Sequence, residues 1–177
     1  MRIHPWVLAA FLLASVAIAQ PQPHAPDVPY VPTEPEVVAG MLRLAGVTGA
    51  DTVYDLGCGD GRIVVTAARQ YRARGVGVDI NPERIQEARA NARRNGVESL
   101  VRFEQNDLFQ ADIHDATVVM LYLLPSVNLR LRPKLLKELK PGTRIVSHSF
   151  DMGDWKPEKE ESVDGATLYL WVVPERR

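Results

Sequence analysis

Cysteine is nearly absent from this chain: Cys58 stands alone among 177 residues, so no intramolecular disulfide can form. Lying between two glycines with no histidine near it in sequence, Cys58 reads as small filler beneath a ligand rather than as a nucleophile. A basic surplus is missing as well. The chain has 21 Lys and Arg against 22 Asp and Glu, a formal net charge of −1, so no nucleic-acid partner is expected. No internal repeat, metal-ligand cluster, catalytic triad or paired-carboxylate site appears. Long apolar runs are missing too, except at the very start. MRIHPWVLAAFLLASVAIAQ has one Arg, then an uncharged, mostly apolar stretch from Pro5 to Ala19 that ends in Ala17-Ile18-Ala19. That is the pattern of a signal peptide, and it is short of the roughly 20 apolar residues a membrane span needs.

Residues 1–19 are therefore expected to be a signal peptide or N-terminal anchor, with membrane association through this segment. The domain would be exported or membrane-anchored; a cytoplasm-facing domain is the alternative. Residues 20–32, QPQPHAPDVPYVP, contain five prolines and read as an extended tether. The folded domain is expected over residues 33–177, acting as a monomer.

What is present is a strand–helix alternation. In TEPE, Thr33 can cap a helix and Glu36 complete a capping box, with Val37, Met41 and Leu44 on one face and Gly46 as the stop. TVYDL, GVGVDI, LVRFEQ, TVVMLYL and TRIVSHSF read as strands, with helices from Gly61 to Tyr71, from Pro82 to Asn95, and from Pro125 to Leu139. Pro133 predicts that the last of these is in two pieces. GATLYLWVVP has no helix before it and pairs with EKEESV as an antiparallel edge. This pattern predicts an open, mostly parallel α/β sheet wrapped by helices.

The first strand runs into VYDLGCGDGR, which packs three glycines and two aspartates into one turn. In such sheets ligands bind beyond the carboxyl ends of the strands, so Gly57, Gly59 and Gly61 belong to a binding loop. A dinucleotide fingerprint needs its third glycine at position 62, which is Arg62. Asp55 and Asp60 also oppose a pyrophosphate, since two like charges near 4 Å repel by about 4 kcal/mol at an effective dielectric of 20. A ligand with a sulfonium and an ammonium is attracted instead, and S-adenosylmethionine has that charge pattern. Asp79, 22 residues after Gly57, is placed to accept from ribose hydroxyls, with Ile80 beside it as an apolar face for adenine. Asp107, followed by Leu108, is placed to accept from the adenine amine. Asp79 as a cap of the Asn81-Pro82 turn and Asp107 as a plain turn residue are the alternatives.

DLGCGDGR, the acidic DIN and NDLF resemble the three cofactor motifs of class I S-adenosylmethionine-dependent methyltransferases, from about Val31 to Pro174. The resemblance implies a Rossmann-like, doubly wound α/β fold with a seven-stranded sheet, mostly parallel with the last strand antiparallel. More narrowly, PYVPT, MLRLA, YDLGCGDGRIV and LLPSVNLRLRPKLLKELKPGTRIVSHSF resemble the ATP synthase c-subunit lysine methyltransferases and their small bacterial relatives. That implies a protein lysine as acceptor, with a small molecule as the alternative. The fourth-strand end, Tyr122 to Pro125, lies beside the methyl group in this fold, so Tyr122 and Pro125 are candidate substrate-positioning residues. His148 is either an aid to proton removal or a packed core histidine. A noncatalytic S-adenosylmethionine-binding protein and an NAD-dependent oxidoreductase are the readings from other classes.

Overall fold

The computed structural model describes residues 30–175; the expected signal or anchor segment and the expected tether up to residue 29 lie outside them. The elements run α1 (Pro35–Leu44), β1 (Thr52–Leu56), α2 (Arg62–Tyr71), β2 (Arg74–Asp79), α3 (Pro82–Arg94), β3 (Val101–Gln105), β4 (Val118–Leu121), α4 (Pro125–Glu138), β5 (Arg144–His148), β6 (Lys159–Val163) and β7 (Ala166–Val172). They form a seven-stranded sheet in the order β3-β2-β1-β4-β5-β7-β6. Strands β1 to β5 are parallel, and β7 is antiparallel to both of its neighbours. The chain leaves β1 towards β2 on one side, while β4 lies on its other side. The crevice where ligands bind in such sheets therefore opens between β1 and β4.

Helical periodicity places the core. Val37 and Met41 of α1, Val64, Ala67 and Ala68 of α2, and Ile85, Ala88 and Ala92 of α3 bury one face of the sheet. Val127, Leu131 and Leu135 of α4 cover the other, with Leu121, Ile145 and Trp171. Central strands β1 and β4 are buried along their whole length, as a parallel sheet covered on both faces requires. Among the described residues no helix is long and apolar enough to cross a membrane.

Three local expectations are corrected. Glu34, not Thr33, is the N-cap of α1, and no side chain caps it, so the capping box does not form. Thr33 is instead buried, and its carbonyl accepts from Arg62 Nη1 at 2.8 Å. Second, α4 is one continuous helix with Pro133 inside it. Pro133 lies on the exposed face, where the carbonyl it leaves unpaired can be hydrated. Third, β4 stops at Leu121, so Tyr122 and Leu123 leave the ladder and turn towards the crevice.

At the opposite end of the sheet, buried Asp51 ties α1 to β1, β4 and β5. It accepts from Thr117 Oγ1 at 2.7 Å and the Thr48 amide at 2.8 Å, and it pairs with Arg144. Arg144 also donates to the Ala45 and Gly46 carbonyls. Burial pushes the Asp51 carboxyl up, but the bonds from Thr117 and Thr48 and the Arg144 charge outweigh it and hold it below its ordinary value. A depressed carboxyl adds stability above its unfolded value and loses it as pH falls through the folded value. Asp51→Ala is therefore expected to cost about 3 kcal/mol at pH 7, because it strands a partly buried guanidinium. In urea unfolding, the gap from the parent should narrow at pH 3; an equal gap at both pH values would contradict this account.

Candidate active site

The turn after β1 has left-handed backbone at Gly57, Gly59 and Gly61, with φ of 87, 52 and 73°. Its amides point inward. Those of Gly57 and Cys58 both donate to the Val78 carbonyl, at 2.8 and 2.9 Å, and that of Gly59 donates to Asp79 Oδ2 at 2.9 Å. Three N–H groups of the turn are thus already taken up by the end of β2. Crowding adds to the need for glycine. A Cβ at Gly59 would lie 2.3 Å from the Tyr30 ring, and one at Gly61 would lie 2.6 Å from Phe103 and 2.9 Å from Ala88.

Beside the turn lies a cavity of about 660 Å³. Of the residues singled out in the sequence, Asp55, Gly57, Asp60, Asp79, Ile80, Asp107, Leu108 and Tyr122 line it. Gly59, Gly61 and Pro125 do not. Gly59 lies under Tyr30, Gly61 packs on Phe103 and Ala88, and Pro125 starts α4. Asp79 lines the cavity, and its Oδ1 accepts from the Asn81 amide at 2.9 Å, the turn contact of the alternative reading. Asp107 likewise lines the cavity while Oδ1 accepts from the Phe109 amide at 2.8 Å. Each carboxylate keeps further acceptor capacity.

The two aspartates of the turn differ sharply. Asp60 is no free charge: Arg62 forks onto it, Nη2 to Oδ2 at 2.8 Å and Nε to Oδ1 at 3.0 Å. Burial opposes its ionisation, but Arg62 holds the carboxyl below its ordinary value. Asp55 is 3% exposed, and burial, reinforced by Asp79 and Asp60, pushes its carboxyl up to about 8. A cation entering the cavity relieves that cost. Burial likewise raises the Cys58 thiol, which suits filler and not a nucleophile.

Several lining residues escaped the sequence reading. Tyr30, Val31 and Pro32, assigned to the tether, wall the cavity, and the Arg84 guanidinium sits 4.6 Å from the centre of the Tyr30 ring. An aromatic among prolines carries no periodic signal; PYVPT pointed here only as part of a family likeness. Phe150, two residues past β5, also lines the cavity and stacks on Tyr122 with ring centres 6.4 Å apart. His148 stacks on Tyr122 at 3.7 Å, and burial lowers its pKa. It does not line the cavity, which favours the packed histidine.

Comparison with known proteins agrees with this geometry. The family model described as the ANTKMT methyltransferase domain matches residues 55–159. The chain is 49% identical to a protein-lysine N-methyltransferase of Saccharolobus islandicus, over 87% of this chain and 99% of that one. It is 33% identical to the ATP synthase c-subunit lysine N-methyltransferase of Xenopus laevis, over 92% of this chain and 74% of that one. Among solved structures, one described as an RNA methyltransferase from Salinibacter ruber, in complex with S-adenosyl-L-homocysteine, superposes with a TM-score of 0.82 and 56% identity. That match covers 83% of this chain and 96% of the other. The chain belongs to the ANTKMT methyltransferase family and is an S-adenosylmethionine-dependent methyltransferase.

Proposed function

We propose that the enzyme methylates a protein lysine amine. The observation that carries this reading is the 49% identity, over nearly the whole of both chains, to a protein named as a protein-lysine N-methyltransferase. The charge of the cavity supports it. Four acidic side chains (Asp55, Asp60, Asp79 and Asp107) line the cavity with two guanidiniums (Arg62 and Arg84), a balance that suits cationic ligands and opposes a polyanion. The name of the Salinibacter ruber protein favours RNA as the second reading. Against it stands the absence of a basic surplus in the sequence.

The residues present fit the cofactor. Asp55 would face the sulfonium and ammonium end, Asp79 would accept from the ribose hydroxyls and Asp107 from the adenine amine, with Ile80 and Leu108 against the ring. Bound there, S-adenosylmethionine would supply a methyl group whose bond to sulfur breaks as the bond to a neutral amine forms, leaving S-adenosyl-L-homocysteine, a methylated amine and one proton. The chain has then to admit the amine, align it and exclude water. Tyr122, Leu123, Leu124 and Phe150 form a wall suited to that task, apolar enough to strip water from a lysine side chain. Desolvation also favours the neutral amine, which is scarce at pH 7 for a group with a reference pKa near 10.4.

Two measurements check these assignments. Cofactor binding should draw the proton from Asp55, so calorimetric affinity should tighten as pH rises from 6 to 7.5, by up to about tenfold per unit. Asp55→Asn should bind more weakly and lose the slope; an equally steep profile in that variant would remove Asp55 from the cation site. For the acceptor, the domain is incubated with methyl-labelled cofactor and a cell extract containing soluble and membrane fractions. Label mapped to lysine on a protein supports the proposal, and label confined to RNA or small molecules overturns it. With a lysine acceptor, the single-turnover rate should climb with pH until the amine titrates.

A further inference from the structure

Asn128 is out of place in α4. It is fully buried among Val127, Leu131 and Leu135, where an apolar residue would pack without polar cost, and its Oδ1 has no hydrogen-bond partner. Its Nδ2 faces three oxygens: Ser147 Oγ at 3.2 Å, the Phe150 carbonyl at 3.2 Å and the Asp151 carbonyl at 3.3 Å. Ser147 Oγ donates to the same Phe150 carbonyl at 2.6 Å. Between these anchors the backbone is strained, with Ser149 at φ 65° and the Phe150 amide folded back to the His148 carbonyl at 2.9 Å. That turn sends two rings to one target: His148 and Phe150 both stack on Tyr122, and Phe150 and Tyr122 line the cavity. Arg132, one helical turn after Asn128, bonds the Met152 carbonyl at 2.8 Å, so α4 grips this loop at successive points.

We propose that Asn128 is a positioning residue of the acceptor site: from inside the core it clamps the Ser149–Asp151 turn so that His148 and Phe150 hold the Tyr122 ring at the cavity wall. The proposal rests on the placement of the acceptor at the Tyr122 end of the cavity, and not on the acceptor being lysine. A buried amide suits the task because its –NH2 offers hydrogens to converging carbonyls that no apolar side chain can satisfy. The unpaired Oδ1 is the cost of that arrangement.

The test compares Asn128→Ala, Phe150→Leu and their combination, using the acceptor identified by methyl labelling and S-adenosyl-L-homocysteine as the probe of cofactor binding. Asn128→Ala should raise the acceptor KM about tenfold, leave S-adenosyl-L-homocysteine affinity within about twofold, and speed amide exchange at Phe150 at least about tenfold. Phe150→Leu should raise the acceptor KM alone, and the combination should be no worse than the more damaging single change. If Asn128→Ala does not fold, Ser147→Ala removes the second clamp and should shift the same quantities in the same direction. A fall in kcat with acceptor KM and Phe150 exchange unchanged overturns the proposal, as does full additivity with Phe150→Leu. An acceptor KM indifferent to Phe150→Leu refutes the placement of the acceptor instead, and the exchange measurement needs no acceptor at all.

Discussion

Two amides converging on one carbonyl organise the catalytic end of this protein. Gly57 and Cys58 both donate to Val78 O, and the next amide, Gly59, reaches the Asp79 carboxylate. The turn after β1 is thereby bound to the end of β2 by three of its amides. Left-handed backbone at three glycines makes the turn tight enough to start α2 immediately. Gly61 at that junction lets Phe103 and Ala88 approach, which draws α3 and β3 against the same loop. The cavity floor, the Asp79 acceptor and the α2–α3 packing are consequences of one arrangement.

With the Gly57, Cys58 and Gly59 amides committed, the aspartates at the strand ends are the charged groups that this turn presents to the cavity. Arg62 neutralises Asp60 and, through the Thr33 carbonyl, holds the N-terminal segment across the mouth. Asp55 has no such partner and is destabilised as an anion until a cation arrives. One carboxylate is thus paired and the other lines the cavity with no cationic side chain bonded to it, although the sequence presents them as a matched pair.

The Tyr122 end of the cavity is built differently. Its wall consists of rings and aliphatic groups from the ends of β4 and β5, and α4 bonds the loop after β5 through Asn128 and Arg132. The cavity thus has two unlike surfaces, one acidic and one apolar. On the proposed reading, the acidic surface would meet the cofactor and the apolar one an amine that must lose its water and its proton before it reacts.

Much of this could be read from the chain alone, because it depends on local pattern. Alternating strands and helices, the glycine turn after β1, and aspartates at the ends of β1 and β2 are short-range features, and they predicted the sheet and the acidic residues that line the cavity. GATLYLWVVP, with no helix before it, likewise foretold the antiparallel β7. Tertiary structure decided what depends on residues far apart in sequence. Asp60 is paired by Arg62 because a salt bridge is set by side-chain reach, and Tyr30 lines the cavity because the chain before α1 folds back over Gly59. Thr33 was read as a cap, yet it lies against His148, 115 residues away, at 3.5 Å. Asn128 looked like one more helix position, and its role emerges only when the turn after β5 closes over it. Local periodicity records which face of an element is buried; it holds no information on which distant polar group will be waiting there.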